Sequence, residues 1–356
     1  MTSGVEADAG GAVARADELL IDVSGLAVAY RAKNGREVRI VDDVSFRLCR
    51  GEALGLAGES GCGKTTTALA LLGLLPNGVR LVAGEINLHS NRGLMRVHRR
   101  TELGLRELRW RHVSVVFQGA MNALDPVIRV CDQLSEAIRL HDPEIDRPGV
   151  EQRVAELFGY VGIAAGRARQ YPHEFSGGMR QRVMIALALA CKPELVIADE
   201  PTTALDVMMQ AQILQLLEEL RRELGLGMIL ISHDLSILAE TCDRVAIMYG
   251  GQIVETGPVA DVYRAPQHPY AERLLAVLPV IGGSRELAEP IPGVPPDPAD
   301  LPSGCRFHPR CQRAEERCSS ELPAAVPVAP GRAVRCLLCT TAAGVAPAGT
   351  GPSEAA

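Results

Sequence analysis

The sequence predicts an α/β fold organised around a largely parallel sheet, and three observations carry the prediction. After residue 176, short apolar runs (ELVIAD, GMILIS, RVAIMY) alternate with helical segments such as QAQILQLLEELRREL, the pattern of strands buried on both faces. A glycine-rich turn, GESGCGKT (58–65), joins an apolar strand to an apolar helical run. The chain of 356 residues, 47% hydrophobic and 22% charged, has the length and ordinary composition of a globular protein with a sizeable core.

Taken in order, residues 1–18 are acidic and rich in small residues. They read as a disordered lead, with neither the basic start nor the apolar run of a signal peptide. Residues 20–60 read as strands (LLIDVSGLAVAY, VRIVDDVSFRL, EALGLAG), with RAKNGR as the turn between the first two. An apolar helix follows from 63. A mixed section over 119–175 contains the helix-like VCDQLSEAIRL and VEQRVAELFGYVGI. Beyond about 280 the character changes: EPIPGVPPDPADLPSG is a proline-rich connector, a cysteine-rich segment follows, and TTAAGVAPAGTGPSEAA is a disordered end. No internal repeat is evident.

The net charge of -6 argues against a general nucleic-acid binder, which carries a basic surplus. The local basic run RVHRRTELGLRELRWRH reads as a solvated helix face. The longest apolar runs, ALALLGLL and VMIALALAC, fall well short of the roughly 18–20 residues a membrane span requires. The expectation is a cytoplasmic chain held at the membrane only through partners.

GESGCGKT fits the phosphate-loop pattern G-x-x-x-x-G-K-S/T, between strand and helix as the chemistry demands. Backbone N–H groups of Gly58, Ser60, Gly61, Cys62 and Gly63 can turn towards an anion at a helix N-terminus. Lys64 would reach the β- and γ-phosphates of a nucleotide, Thr65 would hold Mg²⁺ through its hydroxyl, and Thr66 belongs with them to the nucleotide-binding set. The chain has only three lysines, Lys33, Lys64 and Lys192, among 37 basic residues. A compact ammonium is kept where a phosphate loop needs one.

A second glycine turn opens an apolar helix in FSGGMRQRVMIALALA, where Ser176, Gly177 and Gly178 leave backbone N–H groups free. Alone, S-G-G before a helix is an ordinary N-cap. Here LVIADEPTTALD follows, an apolar strand ending in two carboxylates. Asp199 is suited to orient Mg²⁺ and Glu200 to polarise an attacking water. LISHDL then puts His233 at the end of another strand, within reach of a γ-phosphate, and VVFQGAMNALDP puts Gln118 after an earlier one.

In this order the motifs GESGCGKT, Gln118, FSGGMRQR, LVIADE, TALD and LISHDL resemble the ATP-binding-cassette ATPases over about residues 20–260. The resemblance implies a nucleotide-binding domain of three parts: a parallel-sheet phosphate-loop core, an antiparallel β subdomain and an α-helical subdomain. Here a small Cys-rich C-terminal extension is added. The implied domain boundaries are 19–265 for the cassette, with its helical part at about 119–175, 266–340 for the extension and 341–356 for the tail. It also implies a head-to-tail dimer of two such subunits with two ATPs between them, each facing the partner's 176–178 segment. Tyr30 would stack on adenine and Asp206 would lie at the dimer interface. Gln118 would touch the Mg²⁺ and water site and link it to a transmembrane subunit. The signature departs from the commoner pattern in having Phe175 and Met179 in place of Leu and Gln.

After the cassette, YRAPQHPYAERLLAVLP and IPGVPPDPADLPSGCRFHPRC resemble the C-terminal extension of oligopeptide and dipeptide importer ATPases, as does VFQGAMNALDPV. That implies an ATP-hydrolysing subunit powering peptide uptake. Its partners would be two transmembrane permease subunits, a second identical or different ATPase, and indirectly an extracytoplasmic binding protein. Import of nickel or another small solute is the alternative within the family. A soluble ATPase acting on nucleic acid or the ribosome is the alternative of another class.

Cys305, Cys311, Cys318 and Cys336 are spaced C-x5-C-x6-C-x17-C, with Cys339 in reserve. In a reducing compartment disulfides are disfavoured. A 4Fe–4S cluster or zinc could be held by four thiolates and would stabilise a proline-rich segment with few apolar residues; free thiols are the other reading. His308 reads as a turn residue. Cys62, inside the phosphate loop, predicts sensitivity of the nucleotide site to thiol reagents.

Overall fold

The structure, a computed structural model, describes residues 18–117, 119, 123–203, 205–276 and 291–339. Strands β1 (Leu19–Arg31) and β2 (Glu37–Cys49) form an antiparallel hairpin that brings Tyr30 opposite Val38. The short strand β3 (Ala53–Ala57) leads into helix α1 (Lys64–Leu71), and β4 (Val79–Ser90) and β5 (Gly93–Arg96) follow. One antiparallel sheet runs in the order β2-β1-β4-β5. β4 is not predicted by the sequence pattern, because apart from Ile86, Leu88 and Ser90 its residues are half-buried or exposed and give no clean alternation.

The chain then forms α2 (Glu102–Leu108), β6 (Val113–Val116), α3 (Val130–His141), α4 (Arg147–Tyr160), α5 (Gly177–Ala188) and β7 (Leu195–Asp199). It continues through α6 (Val207–Leu224), β8 (Gly227–Ile231), α7 (Leu235–Thr241), β9 (Arg244–Tyr249) and β10 (Gln252–Pro258). Last come α8 (Val259–Arg264), α9 (Pro269–Ala276), β11 (Val326–Ala329) and β12 (Arg332–Val334). The second sheet has the order β11-β12-β10-β9-β3-β8-β7-β6, and β9, β3, β8, β7 and β6 within it are mutually parallel.

The apolar runs are continuous because both faces of this sheet are covered. Val196, Ala198, Met228, Leu230, Val245 and Ile247 face the α5–α6 side. Their alternates Leu195, Ile197, Ile229, Ile231, Ala246 and Met248 face α1 and the antiparallel sheet. In the helical section, Leu134 and Ile138 of α3 pack with Leu157 and Phe158 of α4 in the same core as α5. Each such fully buried side chain stabilises the fold by roughly 1.5–3 kcal/mol relative to exposure. Arg153 of α4 closes the end of α5, donating to the carbonyls of Leu189 (2.8 Å) and Ala190 (3.2 Å).

The cysteine-rich segment does not hang from the cassette; it completes the cassette's sheet. β12 pairs with β10 through Glu255 opposite Val334, and β11 pairs with β12. Glu255 is 0% exposed. It takes Arg332 at 2.6 Å and the backbone N–H groups of Gln267 and His268. Phe307 enters an aromatic group with Tyr249 (centroids 5.1 Å apart) and Tyr270 (5.3 Å).

Candidate functional site

The phosphate loop leaves β3 and ends at α1, at the carboxyl edge of the parallel strands, where open α/β sheets hold their ligands. Gly58 has φ 145°, and a Cβ there would stand 2.2 Å from the Met248 carbonyl oxygen, so only glycine fits. Gly61 and Gly63 also have positive φ, and Gly63 precedes the first turn of α1. Lys64 is buried; its ammonium donates to the carbonyls of Gly58 (2.7 Å) and Glu59 (3.0 Å), spanning the loop from inside. The Thr67 hydroxyl donates back to Gly63 at 3.0 Å and fixes the start of the helix.

The Thr65 hydroxyl stands beside the Asp199 carboxylate, which is only 4% exposed, and favours its charged form. Burial raises the pKa of Asp199 and the neighbouring Glu200 carboxylate adds to this, against the opposing effects of Thr65 and Lys64. One carboxylate and one hydroxyl facing each other form an oxygen donor set that suits Mg²⁺, a hard cation. Thr65 and Asp199 are the residues that would hold it.

Glu200 follows β7 with φ 46°, a left-handed conformation uncommon outside glycine. One of its carboxylate oxygens accepts from the Thr203 hydroxyl at 3.0 Å, and the other lies 3.2 Å from Nδ1 of His233. β7 and β8 are adjacent and parallel, with Asp199 opposite Ile231, which is why Glu200 and His233 meet across their ends. His233 is 72% exposed at its side chain and faces outward from the sheet edge.

Ser176 caps α5 by accepting from Met179 N–H, and Asp206 caps α6 by accepting from Met209 N–H at 2.9 Å. The two helix starts touch: a Cβ on Gly178 would fall 1.9 Å from the Met209 methyl carbon. Among the described residues, the 176–178 segment makes no hydrogen bond to the phosphate loop. It and Asp206 meet at the paired starts of α5 and α6 through Gly178 and Met209. Tyr30 is half-buried near the end of β1. Gln118 lies outside the described residues.

Two residues absent from the sequence prediction, Arg310 and Tyr270, reach the loop at Glu59. Arg310 grips the Glu59 carboxylate with both terminal nitrogens, and Glu59 N–H donates to the Tyr270 hydroxyl at 3.0 Å. Arginine in HPRC gives no signal of a partner 251 positions away. Cys62 corrects another expectation. It is buried and burial raises its thiol pKa, and both features slow attack by thiol reagents.

All ten cysteines are free thiols. Cys305, Cys311, Cys318 and Cys336 lie close enough for Cys305, raised first by burial, to be raised further by the other three. Cys305 N–H donates to the Cys318 carbonyl at 2.8 Å, and a hydrogen bond from Cys339 holds Cys336 below the usual thiol range. His308 turns back on the Cys305 carbonyl at 2.9 Å, as a turn residue does. As they stand, no three His, Cys, Asp or Glu side chains among the described residues form a metal-holding group.

Residues 41–203 match the ABC transporter family, and residues 254–318 match the oligopeptide/dipeptide transporter C-terminal region. The oligopeptide transport ATP-binding protein OppD of Escherichia coli is 45% identical over 86% of this chain and 89% of its own. AppD of Bacillus subtilis, an oligopeptide transport ATP-binding protein, is 41% identical over 90% and 96%, and the dipeptide transport ATP-binding protein DppD of Escherichia coli 41% over 89% and 96%. The ABC transporter cassette MJ0796, solved as a dimer, shares the fold at 23% identity, with a TM-score of 0.59 over 67% of this chain and 99% of its own. Cassette, site and extension together make this chain a member of the ABC transporter ATPases, in the branch that carries the oligopeptide/dipeptide transporter C-terminal region.

Proposed function

We propose that this chain is the ATP-hydrolysing subunit of an importer for dipeptides or oligopeptides. The observation that carries the reading is the joining of two things in one sheet. A phosphate loop flanked by Thr65–Asp199 and Glu200–His233 sits beside an extension of the kind found in peptide transporters. Lys64 and the loop N–H groups bind the phosphates, Thr65 and Asp199 take Mg²⁺, and Glu200 polarises water with His233 alongside. Gln118 and Tyr30 are assigned to water coordination and adenine stacking by family resemblance alone.

The 176–178 segment and Asp206 complete the site of a second ATPase subunit in a head-to-tail dimer. Support comes from the lack of any hydrogen bond, among the described residues, between the 176–178 segment and the chain's own phosphate loop, and from the dimeric cassette that shares the fold. Two permease subunits receive the motion and hold the chain at the cytoplasmic face; among the described residues no helix is long and apolar enough to cross a membrane. An extracytoplasmic binding protein delivers the peptide. Cys305, Cys311, Cys318 and Cys336 are assigned a 4Fe–4S cluster, with zinc as the alternative. The support is that the free thiol of Cys305 lies near those of Cys311, Cys318 and Cys336, which among the described residues do not yet converge into a metal-holding group.

The test is ATP hydrolysis in vesicles carrying the chain with its co-expressed permeases. Added peptide plus binding protein raises the rate, and Glu200→Gln removes the increase. Stimulation by DNA or RNA instead of peptide overturns the reading. Metal analysis and a visible spectrum after anaerobic purification decide between iron–sulfur, zinc and neither.

A further inference from the structure

Arg310 belongs to the cysteine-rich segment, next to Cys311, yet its guanidinium ends at the phosphate loop. Nη1 and Nη2 donate to the two Glu59 carboxylate oxygens at 2.7 and 3.0 Å. Nε donates to the Pro292 carbonyl at 2.7 Å, and Nη1 also reaches the Tyr249 hydroxyl at 3.3 Å. The arginine side chain is 6% exposed, so the pair is shielded from solvent on that side. Glu59 is the second residue of the loop; its own carbonyl accepts from the Lys64 ammonium at 3.0 Å.

Glycines at 58, 61 and 63 give the loop little side-chain packing of its own. Lys64 ties the loop from inside, and Glu59 is the point at which the extension holds it from outside. We propose that Arg310 is a positioning residue for nucleotide binding. Through Glu59 it holds the loop segment that orients Lys64, and it neutralises a carboxylate that would otherwise repel the triphosphate. A planar fork matching both carboxylate oxygens is what arginine supplies and lysine does not. The inference rests on the reading of this loop as the ATP site.

The effect belongs to binding, because the Arg310 guanidinium hydrogen-bonds Glu59, Pro292 and Tyr249 at the loop's entry side. In Arg310→Gln the Kd and KM for ATP rise about tenfold while kcat changes by less than about twofold. The loss shrinks as salt rises, since part of it is charge repulsion. In Glu59→Gln/Arg310→Gln the uncompensated carboxylate is gone, and affinity recovers to within about threefold of the unaltered chain. An arginine that served folding alone would lower the melting temperature without these signatures.

The experiment is titration of the full-length chain with a fluorescent ATP analogue at two salt concentrations, with Lys64→Ala as control. An unchanged Kd in Arg310→Gln, or a double variant no better than the single one, overturns the proposal while ATP binding itself stands. An unaltered chain that binds no ATP, or a Lys64→Ala that binds as well as it does, overturns the reading of the loop and the proposal with it. Should Arg310→Gln fail to fold, Arg310→Lys carries the same test. Loss of the second prong raises its Kd about threefold, and an unchanged Kd overturns the proposal.

Discussion

Nδ1 of His233 stands 3.2 Å from a carboxylate oxygen of Glu200, and the two residues reach that contact from the ends of neighbouring parallel strands. The second carboxylate oxygen is held by Thr203 at 3.0 Å, so the carboxylate is oriented from both sides. A carboxylate oriented in this way is what the role proposed for Glu200, polarising water, requires. Glu200→Gln keeps the shape and removes the basicity. Single-turnover hydrolysis should fall by about 10²–10⁴ while ATP binding is retained. Loss of binding in parallel with hydrolysis would contradict the division of labour between Glu200 and Lys64.

The Thr65–Asp199 contact makes a separate prediction about the metal. Asp199→Asn leaves the hydroxyl but removes the one charge of that donor pair, so more Mg²⁺ is needed. The Mg²⁺ concentration for half-maximal hydrolysis should rise about tenfold, the size of a single charge-assisted contact. Excess chelator should abolish hydrolysis in the unaltered chain. An unchanged Mg²⁺ dependence would remove Asp199 from the metal site.

Much of the cassette was legible because its signals are local. GESGCGKT shows itself by glycine spacing, and the runs that became β7, β8 and β9 show themselves by continuous apolar composition, although β3 lies between β8 and β9 in the sheet. The Glu200–His233 contact was legible only as two separate strand ends, since pairing β7 with β8 is a long-range fact. The join between extension and cassette gave no sequence signal at all. Arg310–Glu59 and Arg332–Glu255 are ion pairs whose members are 251 and 77 positions apart. An arginine side chain has no periodicity that betrays its partner. β11 and β12 are four and three residues long, too short for alternation to register.

That join has a stability consequence at Glu255. Its carboxylate is fully buried against Arg332 and two backbone N–H groups. Glu255→Ala leaves the Arg332 guanidinium buried without its partner, a change that costs about 3–5 kcal/mol. The melting temperature should drop by several degrees, and limited proteolysis should cut within 291–339 before it cuts the cassette. Uniform resistance of both regions would show that the extension is held by something else.

His268 predicts how stability depends on pH. Its side chain is wholly buried and burial lowers its pKa to about 3, helped by the nearby charge of Arg313. Nδ1 accepts from the Tyr270 N–H at 3.0 Å, which requires that nitrogen to be unprotonated. The Phe307 ring lies beside it, and the Glu255 carboxylate is engaged by backbone N–H groups, including that of His268 itself. In the unfolded chain the imidazole takes a proton below about pH 6.5, whereas the folded chain refuses it until about pH 3. The unfolded state therefore binds the extra proton throughout that window, and stability falls as pH falls through it. The contribution is at most about 1.4 kcal/mol per pH unit. Denaturant midpoints measured from pH 8 to pH 4.5 should decline more steeply for the unaltered chain than for His268→Asn, whose amide oxygen can still accept from Tyr270 and does not titrate. Parallel curves for the two proteins would mean that another group governs the acid side.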